Sequence, residues 1–154
     1  MEIVDFHEGH AGAFKALNAA WITRYFALEP KDLEVLDDPV GKVTAPGGHI
    51  LMAVEAGEAI GCVALMAMKG GGFEVAKMAV TEAHKGRGVG RELMAACIER
   101  ARQVGAPRLY LETNSRLAPA LGLYRRFGFQ QVEPAEPSPY ARADVMMELV
   151  FPHP

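Results

Sequence analysis

The stretch from His84 to Leu93, "HKGRGVGREL", sets glycine at 86, 88 and 90 and then runs into a helical pattern. Leu93, Met94, Cys97, Ile98 and Ala101 recur at the spacing of one helix face, and Gly105 follows as a stop. The preceding "FEVAKMAV" (73–80) reads as a strand, with Glu74, Ala76, Met78 and Val80 expected on one face. Glycine at alternate positions lets backbone N–H groups turn toward a ligand and approach it closely. A helix N-terminus adds partial positive charge, and Lys85, Arg87 and Arg91 add more. Together these favour a phosphate or pyrophosphate; a flexible loop at a helix entry is the other reading. The G-x-G-x-x-G fingerprint fails in both registers, because its last position falls on Arg91 or Leu93. The P-loop pattern fails as well, because Arg91 stands where Gly-Lys is required.

Upstream, residues 49–68 hold two apolar runs around Glu55–Glu58 with Gly57 in the turn, which predicts a hairpin. Residues 2–6 alternate as a first strand. Phe14, Leu17, Trp21, Ile22 and Tyr25 predict an amphipathic helix over 11–26. Pro30 opens a second helix that Pro39 closes, and 43–48 reads as a loop. Downstream come a strand at 108–113, a short helix at 118–128, a strand-like 129–134, a proline-rich loop at 134–140 and a final strand, "ADVMMELV". The order predicts an α/β domain spanning 1–154, with a mixed sheet of six to seven strands and about four helices on both faces.

The chain has 154 residues, half of them apolar, with a formal charge of -3. Nothing in that balance favours nucleic acid, which needs a basic face. No apolar run approaches a membrane span. The acidic "MEIVDFHEGH" lacks a signal-peptide core, so a cytoplasmic protein is expected. Cys62 and Cys97 sit in apolar settings outside any CxxC pair and read as buried, reduced thiols. The "HEGH" at His7–His10 is one residue short of HExxH, and no metal is assigned.

In its context the glycine stretch resembles the GNAT acetyltransferase superfamily. That family's acyl-CoA motif, Q/R-x-x-G-x-G/A, lies between a strand and a helix. Here it reads Lys85-Gly86-Arg87-Gly88-Val89-Gly90, with Lys85 where the family has Arg or Gln. The strand "EVAKMAV" and the later "NSRLAPALGLYRRFGF" fall in the family's order, and the match spans about Glu55 to Phe129. The resemblance implies the GNAT fold, a mixed but mostly antiparallel sheet. It also implies acetyl transfer from acetyl-CoA to a primary amine of a small molecule or peptide, in a ternary complex without metal. A catalytically silent acyl-CoA-binding regulatory module is the alternative, and a homodimer is compatible with either.

The resemblance implies roles residue by residue. Glu74 matches a glutamate base, needed because an amine of pKa about 10.4 is protonated at neutral pH. A salt-bridged strand end is the alternative, and Glu112 is a rival base on the next strand. Backbone N–H groups in Met78, Ala79 or Val80 stabilise an oxyanion. Residues Lys85 to Arg91 (Lys85, Gly86, Arg87, Gly88, Val89, Gly90, Arg91) hold the cofactor. Asn114 bonds the pantetheine arm, or is a turn residue. Tyr124 matches the family's general-acid tyrosine, donating to the departing thiolate, or packs on the sheet. Arg126 approaches the phosphates, or lies on a solvated helix face. The acceptor wall draws on Tyr25, Glu29, Glu112, Tyr140 and Arg142, with Glu29 holding an ammonium and Arg24 or Arg142 a carboxylate.

Overall fold

The computed structural model describes residues 1–134 and 136–152. The chain runs through β1 (Glu2–Asp5), α1 (Ala11–Tyr25), α2 (Pro30–Leu36), β2 (His49–Glu55), β3 (Glu58–Ala67) and β4 (Phe73–Val80). It continues through α3 (Val89–Gln103), β5 (Arg108–Thr113), α4 (Ala118–Arg126), β6 (Gln130–Gln131) and β7 (Val145–Val150). The strands form one sheet in the order β1-β2-β3-β4-β5-β7-β6. The β4–β5 pair is parallel, joined by the α3 crossover, and the other neighbours are antiparallel. This is the mixed, mostly antiparallel sheet expected.

Alternating strand residues bury a separate cluster on each face of the sheet. Leu65, Phe73, Val75 and Leu109 pack with Leu93, Met94 and Cys97 of α3 and Leu121 of α4. Ile50, Met52, Cys62 and Ala64 pack with Phe14 and Leu17 of α1 and Val35 and Leu36 of α2. Each large aliphatic side chain so buried contributes roughly 1.5–3 kcal/mol, which fixes the helices to their faces. Gly61 lets α3 sit close: a Cβ there would lie 3.0 Å from Val89 Cγ1 and 3.2 Å from Leu93 Cδ1.

One expectation is corrected. Strict alternation would put Glu74, Ala76, Met78 and Val80 on a single face. Instead Lys77 adopts φ 54°, and the β3–β4 register slips between Cys62↔Ala79 and Ala64↔Ala76. This is a β-bulge: one extra residue in β4 reverses the side-chain phase beyond it. Glu74 lies opposite Met66, whose side chain packs on the α1–α2 cluster, whereas Met78 and Val80 pack on the α3 cluster.

Two smaller departures have local causes. Residues Val40–Thr44, read only in part as loop, wind a wide turn closed by Ala45 N–H donating to Val40 O at 2.8 Å. Pro39 presets its first φ, and the Asp38 carboxylate accepts from Gly41 N–H at 3.0 Å. The strand expected over 129–134 shrinks to β6. Val132 N–H still donates to Met146 O at 2.9 Å, but Pro134 has no N–H to continue the ladder. Residue 135, in the proline-rich loop, lies outside the described residues, as do residues 153 and 154. Among the described residues no helix is long and apolar enough to cross a membrane.

Candidate active site

The parallel pairing of β4 with β5 covers only Phe73↔Leu109 to Val75↔Leu111. Beyond it the two strands part, and a cleft of about 490 Å³ opens between Ala76–Val80 and Glu112–Asn114. Trp21 and Phe26 reach it from α1 and its C-terminal end, Tyr124 from α4, and Tyr140 and Arg142 from the loop before β7. The bulge thus splits Glu74 from Met78 and Val80 by face, yet all three line this one slot.

At one end of the cleft Gly86 and Gly88 take φ 82° and 81°, the left-handed region that other residues avoid. Gly88 is the residue before α3. The N–H groups of Gly86, Gly88, Val89, Gly90 and Arg91 have no acceptor among the described residues; the first loop-to-helix bond there is Glu92 N–H to Gly88 O, at 3.0 Å. A Cβ added at Gly86 or Gly88 would meet nothing within 4 Å. Open space, five unspent donors and a helix N-terminus suit a phosphate group. Lys85, Arg91 and Arg126 line the rim, while Arg87 is exposed outside the lining. Lys85 Nζ donates to the Tyr25 hydroxyl, which donates to Glu82 Oε1 at 3.1 Å. Tyr25 therefore braces the glycine loop and is not part of the cleft lining.

Two carboxyl groups face the cleft from adjacent strands, and their surroundings differ. Glu74 makes no hydrogen bond among the described residues. Burial pushes its pKa up to about 7, repulsion from Glu112 adds to the rise, and Lys77 opposes it. Glu112 is tied down: Oε2 accepts from Tyr110 OH at 2.9 Å and Oε1 from Ser138 Oγ at 2.6 Å. The Tyr124 hydroxyl has no hydrogen-bond partner among the described residues, and burial pushes its pKa up to about 12. Asn114 donates through Nδ2 to Arg142 O at 2.7 Å and accepts through Oδ1 from Arg116 N–H at 2.9 Å. It joins the β5–α4 turn to the loop before β7.

A buried ionic cluster that sequence reasoning missed forms the floor beside Glu74. Asp32 of α2 is fully buried. Its Oδ1 accepts from Lys77 Nζ at 2.8 Å and Arg142 Nη2 at 2.6 Å, and its Oδ2 from Arg142 Nη1 and Glu29 N–H, both at 2.9 Å. Burial raises the Asp32 pKa, but the bonds from Arg142, Lys77 and Glu29 outweigh it and hold it down at about 2. Lys77 also donates to Tyr140 OH at 3.0 Å. Glu29 and Arg142, expected to hold an acceptor's charges, bond each other at 3.3 Å, and Glu29 lies outside the cleft lining. A lysine inside the apolar "FEVAKMAV" was the one sequence signal for this cluster, since a buried lysine needs a buried anion.

The "HEGH" residues close a short 3-10 turn, Glu8–His10, that leads into α1. His7 Nδ1 accepts from Gly9 N–H at 3.0 Å, and His10 Nδ1 from His7 N–H at 3.2 Å. Among the described residues no group of three or more His, Cys, Asp or Glu side chains is placed to hold a metal ion.

The model of the acetyltransferase (GNAT) family matches residues 13–129. The uncharacterized N-acetyltransferase YjgM of Escherichia coli is 31% identical over 100 residues, covering 62% of this chain and 60% of that protein. The uncharacterized N-acetyltransferase YsnE of Bacillus subtilis is 36% identical over 95 residues, covering 60% and 63%. The match thus spans about six tenths of the length of these curated relatives. A GNAT-family acetyltransferase from Staphylococcus aureus superposes with a TM-score of 0.85 at 14% identity, over 96% of each chain, which establishes the likeness of fold.

Proposed function

The chain belongs to the acetyltransferase (GNAT) family, and from that premise we propose that it transfers an acetyl group from acetyl-CoA to a primary amine of a small molecule or peptide. The observation that carries this reading is Glu74, a carboxyl without a hydrogen-bond partner among the described residues, raised to about 7, in the same cleft as five unspent backbone donors.

Acetyl-CoA, when bound, supplies an acetyl group already activated as a thioester. The unspent N–H groups of Gly86, Gly88, Val89, Gly90 and Arg91 hold its phosphates, and Arg126 adds charge to the cleft. Glu74 takes the proton of the attacking amine, a task suited to a carboxylate titrating near neutrality. The N–C bond forms as the C–S bond breaks, and the electron pair stays on sulfur. An N–H of Met78, Ala79 or Val80 meets the charge growing on the carbonyl oxygen. Tyr124 keeps its proton at about 12, above a thiol's usual 8.5. It therefore donates a hydrogen bond to the departing thiolate without giving up its proton. Glu112, with both oxygens already bonded, orients the site and leaves the base role to Glu74. The chain works as one domain in the cytoplasm, a setting that suits the buried free thiols of Cys62 and Cys97.

Thiol release from acetyl-CoA, followed across amino acids, polyamines, aminoglycosides and peptide N-termini, tests the reading. Acetyl-CoA binding with no thiol release for any amine would make the chain a silent acyl-CoA-binding module.

A further inference from the structure

The acceptor end of the cleft has an unusual charge balance. Two cations line it, Lys77 and Arg142, and both are already satisfied. Asp32 accepts from each of them, Glu29 adds a second counter-charge to Arg142, and the Tyr140 ring lies 4.4 Å from Lys77 Nζ and 4.6 Å from Arg142 Cζ. The Lys77 and Asp32 side chains are 4% and 0% exposed, so neither can swing out to meet a ligand. The other cations of the lining are Lys85 and Arg91 of the glycine-loop end and Arg126 at the C-terminal end of α4. Arg116 lies outside the lining, with its guanidinium 5.0 Å from the Phe26 ring. The charges that remain at the acceptor end are the carboxyls of Glu74 and Glu112, with apolar surface from Trp21, Ile22 and Phe26 beside them.

A carboxylate entering here would meet two acidic groups and no uncommitted cation, and would lose its water without a replacement. An ammonium with an apolar substituent would meet complementary groups throughout. Resting on the acetyl-transfer reading, we propose that Asp32 is a specificity-determining residue. By neutralising Lys77 and Arg142 it makes the site refuse free amino acids and accept primary amines that carry no carboxylate beside the reacting nitrogen.

Trp21 is the one tryptophan of the chain and lines the cleft, so its fluorescence can report acceptor binding to protein saturated with coenzyme A. The probes are matched pairs: isoamylamine and leucine, phenethylamine and phenylalanine, cadaverine and lysine. In at least one pair the amine should bind, and the amino acid should bind at least about tenfold more weakly, the equivalent of about 1.4 kcal/mol. Asp32→Asn keeps the shape but leaves Arg142 with Glu29 as its one bonded carboxylate and Lys77 with none, and should shrink that ratio to within about threefold. Should this variant fail to fold, Glu29→Gln, which strips Arg142 of its second counter-charge, carries the test: the ratio should again shrink, and an unchanged ratio would overturn the proposal. Amino acids binding as tightly as their amines, no amine binding in any pair, or an unchanged ratio in a folded Asp32→Asn protein would each overturn the proposal. Calorimetric titration with acetyl-CoA is run first. Failure there refutes the acetyl-transfer reading, and this inference with it, whereas binding with the wrong preference refutes this inference alone.

Discussion

Replacing Glu74 with glutamine should make the protein less active and more stable, with a dependence on pH that the structure sets. The native carboxyl titrates at about 7 against its usual 4.5. At 1.36 kcal/mol per pKa unit, that gap makes ionised Glu74 cost about 3.4 kcal/mol of folding stability. The sign follows from linkage: the native state holds this proton more tightly than the unfolded chain does. Stability is therefore kept below pH 4.5, lost as pH rises through the window, and level again above 7. At pH 5 the cost is about 0.8 kcal/mol and at pH 8 about 3.3 kcal/mol. Glutamine has the same shape and never ionises. Urea unfolding should show the advantage of Glu74→Gln over wild type growing by about 2.5 kcal/mol between pH 5 and pH 8. Turnover at pH 8 should fall about 100-fold or more for loss of the base. In wild type, turnover should fall on acidification below about pH 7, and Glu112→Gln should move that midpoint downward by removing the repulsion. A stability difference that does not change with pH would refute the burial argument. Unchanged turnover would remove Glu74 as the base.

Tyr124→Phe breaks no hydrogen bond to the described residues, so its unfolding free energy should stay within about 0.5 kcal/mol of wild type. Its turnover should fall at least about tenfold while acetyl-CoA affinity by calorimetry stays unchanged. Gly88→Ala should cost about 1–2 kcal/mol in urea unfolding because of the positive φ. Gly88→Glu adds a negative charge at the cradle, and its acetyl-CoA affinity should fall at least about tenfold below that of Gly88→Ala; equal affinities would move the phosphate site elsewhere. Lys77→Met leaves Asp32 paired with Arg142, so it should cost about 2 kcal/mol, short of the roughly 3–5 kcal/mol of a fully orphaned buried charge. A loss at the upper end of that range would mean that Arg142 does not hold Asp32 without Lys77.

The features legible in the sequence were those set by near neighbours. The hairpin turn, the helix faces and the glycine loop each follow from spacing within a dozen residues, and the structure places them where the spacing predicts. The bulge was not legible. Period-two reasoning has no place for an inserted residue, and "FEVAKMAV" carries no glycine to mark one. The Asp32–Lys77–Arg142 cluster was hidden for another reason: its members are 45 and 110 positions apart. Asp32 and Arg142 each read alone as an ordinary surface charge, and Lys77 in its apolar strand signals a buried anion without saying which one. Only the fold shows that Glu29 and Arg142, both expected at the acceptor wall, are committed to each other.

The parting of β4 from β5 has a consequence for how the protein keeps its shape. Each strand holds its outer neighbour, yet along the slot the two edges do not pair with each other. An occupant bonded to those edges would complete the sheet much as a removable strand does, so that filling the slot and remaining folded would be linked by mass action. At a ligand concentration of 100 Kd the native state gains about 2.7 kcal/mol, comparable with burying one more large aliphatic side chain. The protein's resistance to heat and proteolysis would then rise and fall with the supply of its own cofactor, making its abundance a record of that supply.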